Sequence, residues 1–140
     1  MKLVRLSYFS RALNDMTLMD IQSILDVARE NNAALGICGM LCYESRWFLQ
    51  VLEGERDEVN RLYLEIADDP RHDDIVLLGY EYPERRLFED WRMGYAGSEA
   101  GLRDVLREHG LDRFEPGELG ADEALRVLCS LSRRQSDLTA

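Results

Sequence analysis

The chain has 140 residues, and its 27 acidic against 17 basic side chains leave a formal net charge of −10. This length supports one domain around a single core, and the acidic balance repels phosphate backbones, which argues against nucleic acid as a partner. No apolar run approaches the ~20 residues of a membrane span. The opening Met1-Lys2-Leu3-Val4-Arg5 lacks the apolar region and cleavage site of a secretory signal, so the expected compartment is the cytoplasm.

Residues 3–8 alternate, with Val4, Leu6 and Tyr8 on one side and Arg5 and Ser7 on the other, which reads as a half-buried strand. Thr17 with Asp20 forms a capping-box pattern, and Ile21, Ile24, Leu25 and Ala28 then keep helical spacing along one apolar face. Asn31-Asn32 is read as the end of that helix. Two strands follow, over residues 36–43 and 47–52, joined through Glu44-Ser45-Arg46. A second helix begins after Gly54 and carries Val59, Leu62, Tyr63 and Ile66 on one face. Asp69-Pro70-Arg71-His72 stops it, because proline cannot continue a helix interior.

A fourth strand is expected over 75–80 and a short fifth over 90–95, with Trp91 and Met93 on one face. The order is βαββαβ plus one strand, an α+β ferredoxin-like pattern with both helices on one sheet face. Beyond Gly97, Leu102, Val105 and Leu106 suggest one helix and Leu125, Leu128 and Leu131 another, separated by Pro116-Gly117. The expected organisation is a domain over 1–96 and a C-terminal helical extension over 97–140 that folds back on the open sheet face.

Cys38, Cys42 and Cys129 have no metal-ligand spacing, and no metal site is expected. Cys38 and Cys42, four apart in a strand, would lie ~13 Å apart at Cα, beyond the ~7 Å limit of a disulfide. All three are read as reduced thiols.

Gln50 is the residue that resists a plain core reading. It shares a face with Phe48 and Leu52, and that face should be buried under the helices. An unpaired buried amide costs ~1–3 kcal/mol, so something must satisfy it, in the plain reading a neighbouring backbone group or Tyr8. Taken singly, Tyr8 reads as a strand tyrosine, Asn31-Asn32 as a helix stop, Arg71-His72 as a solvated turn, and Trp91 and Met93 as core. Their joint order carries more information than any of them alone.

That order resembles the BLUF family of blue-light sensors using flavin. The resemblance runs through Leu3-Val4-Arg5-Leu6-Ser7-Tyr8-Phe9-Ser10, Asn31-Asn32, Gly36-Ile37-Cys38-Gly39, Phe48-Leu49-Gln50-Val51-Leu52-Glu53-Gly54-Glu55, Asp69-Pro70-Arg71-His72 and Trp91-Arg92-Met93-Gly94. It covers about residues 1–96.

The resemblance implies a flavin held non-covalently between the two helices and the sheet. FAD is the expected form, with FMN and riboflavin as alternatives. Ile24 and Ile66 would wall the ring, Asn32 would bond its pyrimidine edge, and Asn31 would lie beside it toward the ribityl or phosphate. Asp69, Arg71 and His72 would line the mouth, while Tyr8, Gln50, Trp91 and Met93 would form the photoactive group. The chemistry is sound in its own right. A phenol beside an excited flavin can give up an electron and a proton, and an amide between them can rearrange its hydrogen bonds, which shifts absorption to the red.

Three positions depart from the family pattern. Cys38 stands where Thr is usual, Arg92 where Ser is common, and Glu65 where a basic residue is frequent. No substrate turnover is expected. With no room in this length for an effector enzyme, the signal is expected to pass to a downstream protein or through a homo-oligomer. The rival readings are a small-molecule-binding regulatory module without photochemistry and a small enzyme, either a monooxygenase or a hydrolase pairing a cysteine with His72 or His109.

Overall fold

The computed structural model describes residues 2–96 and 101–139, with side chains through Arg134; Gly97 lies outside the described residues. Five strands form one mixed sheet: β1 (Leu3–Ala12), β2 (Cys38–Glu44), β3 (Trp47–Glu55), β4 (His72–Glu81) and β5 (Gly94–Ala96). The sheet order is β4-β1-β3-β2-β5; β5 runs parallel to β2 and the other pairs are antiparallel. Helices α1 (Leu18–Leu35) and α2 (Arg56–Ala67) follow β1 and β3, and α3 (Leu102–Glu108) and α4 (Ala121–Thr139) follow β5. This is the expected α+β ferredoxin-like arrangement with a fifth strand and C-terminal helices.

Each face of the sheet has its own core. On one, Val4, Leu6, Tyr8, Phe48 and Leu52 pack with Ile21 and Leu25 of α1 and Val59 of α2. On the other, Phe9, Met40, Cys42, Leu49 and Val51 pack with Leu102 and Val105 of α3 and Val127, Leu128 and Leu131 of α4. Strand alternation produces this division, because neighbouring residues of one strand point to opposite faces. A short 3-10 turn over Pro116–Glu118 separates the last two helices. Cys38, Cys42 and Cys129 are not joined in disulfides.

The structure corrects several expected boundaries. Asn31-Asn32 does not end α1. The helix runs on through Ala33 and Ala34, strong helix formers, and stops at Gly36, whose φ of 68° gives the left-handed cap that glycine accepts without strain. The start of α1 fits expectation, with the Thr17–Asp20 capping box complete in both directions. β1 extends beyond Tyr8 to Ala12, and β3 beyond Leu52 to Glu55, whose side chain caps α2. His72 is not part of a solvated turn; it opens β4 and pairs with Ala12.

The fifth strand is shorter than expected, so Trp91 and Met93 precede it and do not share a face. Trp91 packs against the core beneath α3 and α4, whereas Met93 is buried in the core beneath α1 and α2. Alternation fails here because the backbone bends before it pairs.

Candidate functional site

A cavity of about 320 Å³ opens between α1, α2 and the sheet. Tyr8, Ile24, Asn31, Asn32, Gln50, Ile66, Asp69, Arg71, His72 and Met93 all line it, and Trp91 does not. The sequence also left Phe48, Leu52 and Leu62 as plain core, yet each contributes to the wall. These three carry only the apolar spacing of their elements, which does not distinguish a core position from a ligand wall.

Tyr8 and Gln50 are cross-strand partners on β1 and β3, which puts their side chains side by side on the cavity face. The Tyr8 hydroxyl donates a hydrogen bond to Gln50 Oε1, and Gln50 Nε2 donates to Met93 Sδ at 3.3 Å. A thioether accepts weakly and cannot donate. With the amide turned over, Nε2 would meet the hydroxyl and Oε1 would face a sulfur with no proton to give. Tyr8 and Met93 together therefore select one orientation of Gln50. Burial pushes the Tyr8 phenol far above its ordinary pKa, with Tyr63 and Asp69 adding to the rise, so Tyr8 stays protonated. The Tyr63 ring packs edge-on against Tyr8, with centroids 5.6 Å apart.

Asn32, only 1% exposed, sits on the last turns of α1. Its Nδ2 donates to the Arg92 carbonyl at 2.6 Å, while its Oδ1 is buried with no partner among the described residues. Arg29, also on α1, donates to the Met93 carbonyl at 2.9 Å. Residues 92–93 are thus held to α1 by their backbone. Gly39 donates its N–H to the Trp91 carbonyl at 2.9 Å. A side chain at Gly39 would collide with the Val51 carbonyl and press on the Met93 methyl, so glycine permits this approach.

At the mouth, Arg71 grips Asp69 through Nε and NH2, and this pairing holds the Asp69 carboxyl below its usual range. His72 spans α2 and β1. Its Nε2 faces the Ile66 carbonyl, which can only accept, so in the neutral ring Nδ1 accepts from the Ser10 hydroxyl at 2.7 Å. Asn31 and Glu65 line both this cavity and an adjoining one of about 410 Å³, which Glu58 and Arg61 border. Among the described residues, no cluster of His, Cys, Asp or Glu could hold a metal ion, and no helix is long and apolar enough to cross a membrane.

Residues 3–94 match the family model described as BLUF, sensors of blue-light using FAD. The chain belongs to the BLUF family. BLUF relatives include the photoactivated adenylate cyclase subunit beta of Euglena longa, 36% identical over 112 residues, which is 76% of this chain and 13% of that protein. The present chain therefore spans about an eighth of that curated relative. Two solved structures match over nearly their whole length. One is the BlsA photo-activated state (TM-score 0.83, 34% identity, 92% of this chain and 94% of that one). The other is BlrB, a BLUF protein in its dark state (TM-score 0.81, 31% identity, 96% and 97%).

BLUF sensors use flavin, and the cavity suits one. The volume falls in the range of ligand pockets, with mostly apolar walls and a few convergent polar groups. The unpaired Asn32 Oδ1 is an acceptor, and the pyrimidine half of a flavin ring carries an N–H to donate. Gln50 and Arg71, both in the lining, carry N–H donors of the kind that carbonyl oxygens accept.

Proposed function

We propose that this chain is a blue-light receptor in which Tyr8, Gln50 and Met93 form the light-operated switch and Asn32 and Arg71 hold a non-covalently bound flavin. One observation carries the reading: an amide bonded at both ends, Tyr8 to Gln50 to Met93, shares a cavity with a buried acceptor that has no partner among the described residues. A bound flavin supplies blue-light absorption and, once excited, a strong pull on a neighbouring electron. Tyr8 would release an electron and its hydroxyl proton to the flavin, the proton by way of the Gln50 amide, and would take both back before the dark state returns; in between, the bond that fixed Gln50 is broken. Gln50 then rearranges its amide and Met93 Sδ loses its donor, so the hydrogen-bond pattern differs between dark and light. No substrate is turned over.

FAD is the form we favour, as the family description names it, with FMN and riboflavin as alternatives distinguished by the mass of the released cofactor. We place the receptor in the cytoplasm. Residues 1–96 act as the sensing domain and 97–140 as the extension through which a downstream protein, or a second copy, reads the state.

The test uses Tyr8→Phe and Gln50→Leu. Both should bind flavin, and both should lose the light-induced absorption shift completely. A normal shift and recovery in either variant would refute the assignment.

A further inference from the structure

Glu53 is fully buried, yet it lies on the face of β3 away from the cavity, beside Leu49 and Val51. Its carboxylate is richly bonded. Arg5 Nε donates to Oε2 at 2.7 Å, the Leu87 N–H reaches both oxygens at 3.0 and 2.9 Å, the Phe88 N–H donates to Oε1 at 2.8 Å, and the Cys38 thiol approaches at 3.6 Å. Arg5 also reaches the Arg85 carbonyl and Glu81. A buried ion pair is weak evidence of added stability, so what it positions is the more informative question.

It positions the connection from β4 to β5. From Phe88 the path continues through bonded backbone: the Phe88 carbonyl accepts from Trp91 N–H at 2.9 Å, and the Trp91 carbonyl from Gly39 N–H at 2.9 Å. Two residues later Met93 offers its sulfur to Gln50. The Phe88 side chain is buried in the α3–α4 core and Met93 in the α1–α2 core. Residues 88–93 therefore link the two cores around the sheet.

We propose that Glu53 is a positioning residue for the switch: by holding the Leu87 and Phe88 N–H groups it sets where Met93 Sδ meets Gln50. This deepens the photoreceptor reading and rests on it. The carboxylate accepts both amides and the Arg5 guanidinium at once. A glutamine side chain in its place could not: turned one way its NH2 faces the Arg5 Nε–H, turned the other way it faces the Phe88 N–H, and either way two donors are forced together. The connection then loosens and the dark orientation of Gln50 loses part of its acceptor.

The experiment measures dark recovery after blue light in Glu53→Gln, Met93→Ala and the double variant, with amide exchange on the unilluminated proteins. Glu53→Gln should keep the light-induced shift, slow recovery about fivefold, the equivalent of one neutral hydrogen bond, and speed exchange at the Trp91 and Gly39 amides about tenfold. In the Met93→Ala background the same substitution should leave recovery within about twofold, because the acceptor it positions is gone. Unchanged recovery, or equal slowing in both backgrounds, would overturn the proposal. If Glu53→Gln does not fold, Arg86→Ala decides by the same criterion. Arg86 ties the connection to the Gly36 and Glu53 carbonyls. A parent with no light-induced shift would remove the photoreceptor reading and this inference with it, whereas a normal parent with additive variants removes the inference alone.

Discussion

Gln50 and Glu53 are buried polar residues on one strand, three positions apart, and they face opposite cores. Toward α1 and α2, the polar groups around Gln50 are only partly satisfied: Met93 is a weak acceptor and Asn32 Oδ1 has no partner. Toward α3 and α4, Glu53 has a full set of donors around it, in a core otherwise closed by Leu, Val and Phe side chains. Buried polarity is common to both sides. Unsatisfied polarity beside a cavity is what distinguishes a ligand site from a structural one.

Truncating the closed side should have the largest effect on stability. Leu128→Ala removes a fully buried side chain of α4 and should cost ~2–5 kcal/mol of unfolding free energy, read by denaturant titration. The light-induced shift of the folded protein should stay as in the parent. If the shift were lost while the fold persisted, the two faces would not be separable.

A smaller effect belongs to the open side. Arg71 is about half exposed and already paired with Asp69, so solvent screens part of its contribution. Arg71→Ala should weaken flavin binding about tenfold, read by titration of the apoprotein, and leave the size of the shift unchanged. Unaltered affinity would return Arg71 to the solvated turn it resembles in sequence.

The smallest effect is one of pH. Burial raises the Tyr8 pKa in the folded protein above the ordinary value of 10.0. Above that ordinary value the unfolded chain releases the Tyr8 proton while the folded one keeps it, so stability falls as pH rises. Denaturation midpoints between about pH 9 and 11 should therefore drop more steeply in the parent than in Tyr8→Phe. Parallel curves would mean that the phenol is less enclosed than its surroundings indicate.

Periodicity identified the order of elements, the two helices on one face and the apolar positions of α3 and α4. It also placed Gln50 beside Phe48 and Leu52. It failed where the backbone departs from a regular repeat. The bend before β5 sends Trp91 and Met93 to opposite cores, and the left-handed cap at Gly36 keeps Asn31 and Asn32 inside α1. Glu53 was legible in principle, since a carboxylate on the Leu49–Val51 face is out of pattern. Its partners Leu87 and Phe88 were not, because they meet it through backbone N–H groups that no side-chain pattern records. The unpaired oxygen of Asn32 likewise emerges only when every neighbour is in place.

The partly satisfied side of the sheet should hold a flavin whose colour responds to the Tyr8–Gln50–Met93 bonds. The most direct measurement is the absorption spectrum of the purified protein in the dark, after blue light and after return to the dark, with the cofactor then released by denaturation. The expected result is a yellow protein, a small red shift that reverses in the dark, and an intact flavin in the filtrate. A protein that takes up no flavin, or a flavin-bound protein whose spectrum does not move, would contradict it.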